Sequence, residues 1–116
     1  MTHEEHYDAV SKAASKVYAA IDRANSHGLC VYVGMETIYA VGGKVTYSPE
    51  VFVEHVSRYR DGMTADEKQC RHEVYEAMLN LSSVLTDAAE FGYSFKIERY
   101  RDGMTIVRPA ESKIEA

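Results

Sequence analysis

The stretch HGLCVYVGMETIYAVGGKVTYSP, residues 27–49, decides the fold, because the hydrophobic repeat changes period inside it. Leu29, Val31 and Val33 alternate with Cys30, Tyr32 and Gly34, and 37–41 is again strand-like. Alternation at period two is the mark of a half-buried strand. Gly42-Gly43 between two such runs predicts a two-residue hairpin turn, since both turn positions require positive φ. Lys44 to Tyr47 is then the returning strand. Gly34 is expected to mark a bulge or bend, as an unbroken strand of this length is unusual.

Before this stretch the pattern is helical. Tyr7, Val10, Ala14, Val17, Tyr18, Ile21 and Ala24 recur at spacings of three and four, one face of a helix over 4–26. Thr2 and Glu5 form a capping-box pattern at its start, and His27-Gly28 ends it. After the stretch, Ser48 as N-cap and Pro49 at the first helical position predict a short helix to about Arg60. Thr64 and Glu67 repeat the capping box. A second long stripe follows through Cys70, Val74, Ala77, Met78, Leu81, Val84, Leu85 and Ala88, closed by Gly92. Tyr93, Phe95 and Ile97 read as a strand, and Asp102-Gly103 as a two-residue turn into Met104 to Arg108. From about residue 110 the tail is polar.

Each half thus reads as long helix, glycine stop, strand, turn, strand. The matching segments are offset by 64 residues around Gly28 and Gly92 but by 57 further upstream, which favours a shared layout over a duplicated sequence while leaving both readings open. The expected architecture is α+β. A four- to five-stranded antiparallel sheet of two hairpins packs on two long helices, with a short third helix between the halves. A length of 116 residues suits one domain, and such a chain needs neither a metal nor a disulfide to fold.

The charge balance excludes some functions. Net charge is −5, split as −3 up to Ser57 (four basic, seven acidic) and −2 from Arg58 (nine basic, eleven acidic). No cluster of lysine and arginine is present to neutralise phosphates, so neither DNA nor RNA is an expected partner. Nor do dense, unopposed carboxylates mimic DNA. No apolar run approaches a membrane span, and no signal peptide is legible at the N-terminus. Cys30 and Cys70 are 40 residues apart, without metal-binding spacing, and read as free thiols of a cytoplasmic protein.

The most unusual feature is a heptapeptide that occurs twice: Arg58-Tyr59-Arg60-Asp61-Gly62-Met63-Thr64 and Arg99-Tyr100-Arg101-Asp102-Gly103-Met104-Thr105. The first copy is expected where a helix ends and the second in a hairpin, with Asp-Gly serving as the turn in both. Arg58, Tyr59, Arg60, Arg99, Tyr100 and Arg101 are nevertheless the candidate ligand-binding residues. Guanidinium forks beside an aromatic face bind phosphate or carboxylate and stack on a ring.

Other chemistry is weakly signalled. His3 and His6 could share a metal with Glu4, Asp8, His55 or His72, but no zinc-binding helix pattern accompanies them, and solvated histidines are expected. No nucleophile motif, dinucleotide glycine pattern or phosphate loop is found, so no catalytic residue, metal or cofactor is assigned. Nine tyrosines against three phenylalanines lean towards contact surfaces. The reading that follows is a non-enzymatic protein-binding module or inhibitor, of the kind frequent among viral and mobile-element accessory proteins. Its partners would be another protein and, through the sheet edges, a second copy in a homodimer. The alternative is a binder of a small anion, a nucleotide or signalling molecule, held by the two Arg-Tyr-Arg clusters.

Overall fold

The computed structural model describes residues 2–39, 42–43, 45–55, 64–100 and 103–107. The element order is α1 (His3–Ser26), β1 (Leu29–Tyr39), β2 (Val45–His55), α2 (Ala65–Glu90), β3 (Lys96–Tyr100) and β4 (Gly103–Val107). β1 pairs antiparallel with β2 and β3 with β4, as two separate two-stranded sheets.

Both helices begin and end as their sequences dictate. Thr2 accepts a hydrogen bond from the Glu5 amide at 3.1 Å, and the Glu5 carboxylate accepts from the Thr2 amide at 3.3 Å. Thr64 and Glu67 reproduce this at 3.2 and 3.0 Å. At the other ends, His27 and Phe91 share φ of −92°, and the next residues, Gly28 and Gly92, lie at φ of 81° and 82°. A side chain is strained at that φ, which is why glycine closes both helices.

The core is built by the helix stripes. α1 contributes Val10, Ala13, Ala14, Val17, Ile21 and Ala24, and α2 contributes Cys70, Val74, Met78, Leu81, Leu85 and Ala88. The helices run antiparallel: Lys16 lies by Asn80, while Arg23 reaches Glu73 seven residues earlier in α2. Leu29, Val33 and Phe95 complete the buried cluster from outside the helices. α2 also packs on β2, where the Ser82 hydroxyl donates to the Tyr47 carbonyl. α1 packs on β1 and β4.

Three expectations about the strands are overturned. The short third helix does not form over 48–55; these residues are the second half of β2, paired residue by residue with Leu29 to Glu36. The helix-start signal of Ser48-Pro49 loses to β-branched Val51 and Val53, which with Val45 and Tyr47 form an alternating, core-facing set. Pro49, opposite Met35, is admissible because both strands of a two-stranded ribbon are edges. The rest of that expected helix, 56–60, lies outside the described residues, as does the polar tail.

Nor do the described residues form a four- to five-stranded sheet; their strands make two two-stranded sheets. The helices bury their stripes against each other; β1–β2 lies on both, β2 on α2 and β1 on α1, and β3–β4 lies on α1 through β4. The overall class remains α+β. Thirdly, the turns differ. Tyr39 and Val45 close the first hairpin, leaving 40–44 as the connection with Gly42 at its centre and φ of 95°. Tyr100 and Gly103 close the second, so Gly103 belongs to the strand rather than to the turn. Gly34 introduces no bulge, and β1 runs unbroken for 11 residues.

Leu81 is fully buried between the helices. Leu81→Ala should cost about 2–5 kcal/mol in urea unfolding through lost burial and the cavity left behind. Thr64→Ala, removing one cap, should cost about 1 kcal/mol.

Candidate functional site

β1 and β2 put residues of one parity on the helices and those of the other on the outside. Val31, Met35, Tyr47, Val51 and Val53 pack against the core. The outer face carries Cys30, Tyr32, Gly34, Glu36 and Ile38 of β1 opposite Glu54, Phe52, Glu50, Ser48 and Thr46 of β2. Tyr32 and Phe52 are direct cross-strand partners and remain 43% and 61% exposed. Ile38 is exposed on the same face, and Tyr39 beside it is 76% exposed where the ribbon ends. Glu36 and Glu50 on this face are exposed. The site therefore has an aromatic centre with negative charge around it.

A second region lies across the ribbon. Val51 of β2 and Lys68, Arg71, His72 and Tyr75 of α2 line a cleft of about 330 Å³. A third, about 430 Å³, opens between the helices along Ala19, Ala20 and Ala77. Two of its charged residues are joined, since Arg23 Nη1 donates to Glu73 Oε1 at 2.9 Å.

The N-terminal histidines behave differently from the expected solvated pair. His6 is only 2% exposed, and its ring lies 5.1 Å from Phe91 and 5.6 Å from Tyr93. His3 stacks on Phe95 at 5.3 Å with 7° between the rings. These contacts seal the start of α1 against the segment that follows α2. The Nε2 atoms of both histidines are buried without a hydrogen-bond partner among the described residues. The sequence held a signal for His6: it stands four residues before Val10, in line with the buried stripe. Among the described residues, no group of three His, Cys, Asp or Glu side chains is arranged to hold a metal ion.

Of the sequence-assigned ligand residues, Arg99 and Tyr100 fall in β3, paired with Met104 and Gly103. Arg58, Tyr59, Arg60 and Arg101 lie outside the described residues. The second heptapeptide copy is in a hairpin as expected. In the first copy Thr64 caps α2, whereas in the second Thr105 is a strand residue. Cys30 is exposed on the outer ribbon face, and Cys70 is buried. No described helix is long and apolar enough to cross a membrane. Comparison with known proteins finds no matching family model, curated protein or solved structure.

Tyr47 sits under the ribbon against α2. Burial, and secondarily the neighbouring Tyr39, push its phenol above the ordinary value of 10.0. The folded chain therefore holds this proton more tightly than the unfolded chain. Stability should be unaffected by this group well below pH 10 and fall as pH rises through 10 towards the raised value. Urea midpoints measured between pH 8 and 11 should fall less steeply for Tyr47→Phe than for the unaltered protein.

Proposed function

We propose that this chain is a non-enzymatic protein-binding module, acting as an inhibitor or adaptor, and that the outer face of the β1–β2 ribbon is its contact surface. The observation that carries the reading is the Tyr32–Phe52 pair. Two aromatic side chains, matched across the strands, stay in water although the protein has an interior available to such groups. Clustered exposed aromatic residues mark interaction sites, and aromatic anchors carry much of the energy of protein interfaces. Glu36 and Glu50 set the chemistry of the partner: an apolar centre bordered by lysine or arginine.

The supporting structure suits this role. Long helices hold the inner face of the ribbon, so the outer face is presented on a rigid support and little ordering is required on binding. The far end, with Ile38 exposed on the same face, extends the apolar surface. Nothing in this reading requires catalysis by the protein, and specificity comes from shape and charge.

Affinity purification with the unaltered protein and with the double variant Tyr32→Ala/Phe52→Ala tests the reading. Both side chains are exposed, so circular dichroism should show the variant folded. The partner recovered by the unaltered protein should bind the variant at least about tenfold more weakly. Binding should also weaken as salt rises, because acidic and basic rims attract. A partner held equally well by both proteins would remove this face from the contact. A homodimer seen by light scattering and dissolved by the same substitutions would make a second copy the occupant instead.

A further inference from the structure

We propose that the cleft between β2 and the first half of α2 is a nucleoside phosphate site, separate from the outer ribbon face. Arg71 and His72 stand three and four residues after Lys68, and Tyr75 four and three after them, so successive turns of α2 present all four on one face. Val51 forms the facing wall. The cleft, about 330 Å³, falls in the size range of small-ligand sites.

The charge arrangement is what points to an anion. The chain has a net charge of −5, yet among the described residues no carboxylate lines this cleft. α2 instead places Glu73 and Glu76 along the other cleft, where Arg23 pairs with Glu73. Lys68 and Arg71 also stand in the first two turns of the helix, where its dipole is positive. Cations gathered there repel one another and oppose the dipole, a cost that a bound anion reverses. Glu76 Oε1 lies 3.7 Å from His72 Nε2, with both side chains well exposed. Two carboxylates of the first turn, Asp66 and Glu67, do not line the cleft, and Glu67 is buried in the cap.

The remaining walls select the rest of the ligand. The Arg71 guanidinium offers a planar fork to phosphate oxygens, and Lys68 and the His72 imidazole add single donors. Tyr75, half exposed, and Val51 offer apolar area on which a ring stacks. Inorganic phosphate uses only the first set, whereas a nucleoside diphosphate uses both.

ADP, adenosine and inorganic pyrophosphate are the probes, titrated separately into the purified chain by calorimetry, with amide shifts in NMR locating the site. ADP should bind more tightly than either half, and more weakly as salt rises. Lys68→Ala and Arg71→Ala should each weaken ADP by about tenfold or more. Tyr75→Ala should weaken ADP while leaving pyrophosphate unchanged, and Arg23→Ala, in the other cleft, should change neither. All four positions are on the surface, and thermal melts should show the variants folded. The proposal is overturned if millimolar ADP leaves the amides of 68–75 unmoved, or if Lys68→Ala and Arg71→Ala bind as the unaltered protein does. Pyrophosphate matching ADP, with Tyr75→Ala silent, would overturn the nucleoside half of the assignment. Tyr32→Ala/Phe52→Ala should bind ADP normally, which keeps this outcome independent of the ribbon face.

Discussion

The stripe of α1 is rich in small residues, with Ala13, Ala14 and Ala24 among Val10, Val17 and Ile21, while that of α2 carries Met78, Leu81 and Leu85. The antiparallel contact between these two stripes is the constraint on which the other elements depend. Small side chains let the helix axes approach, and larger ones opposite fill the space between them. With the helices paired, β2 packs on α2, while β1 and β4 pack on α1. A two-stranded ribbon is marginal alone, so the packing of β2 on α2 is what sustains the 11-residue strands.

The same arrangement generates the candidate surfaces. Because the ribbon has helices on one side only, its other parity faces solvent, and Tyr32 and Phe52 are left there as a matched pair. Because α2 lies between α1 and β2, its polar residues are divided between two clefts. Glutamates line the one shared with α1, and cations line the one shared with β2. Both follow from one helix pair and one supported ribbon. The apolar contact surface and the cationic cleft are consequently on different sides of β2, close in the chain but presented in different directions.

The closely matched ends of the two helices raise the question of internal symmetry. Caps, glycine stops and the order helix–strand–strand correspond between the halves, and each helix receives the second strand of the other half's hairpin. The strands do not match in length: 11 residues in each of β1 and β2, and 5 in each of β3 and β4. Nor does the repeated heptapeptide follow this symmetry. Thr64 is a helix cap and Thr105 a strand residue, so the repeat spans unlike positions of the two halves.

Local signals decided what depends on a few neighbouring residues. Thr2/Glu5 and Thr64/Glu67 start helices, Gly28 and Gly92 stop them, and spacing of three and four marks the stripes that become buried. Each of these acts through hydrogen bonds or φ within one turn, and so the sequence alone determined them. Residues 48–55 carried conflicting signals, a helix start in Ser48-Pro49 and a strand in Val51-Phe52-Val53. Pairing with Leu29 to Glu36 and packing on α2 resolved the conflict, and these are contacts between distant segments. The same holds for His6, whose burial required Phe91 and Tyr93 to arrive from the far end of α2. It holds too for the cationic cleft: Lys68, Arg71, His72 and Tyr75 read as an ordinary solvated helix face until Val51 supplies the opposite wall. Periodicity tells which side of an element is apolar; only the tertiary structure decides what that side meets, because burial is a property of pairs of surfaces and not of one.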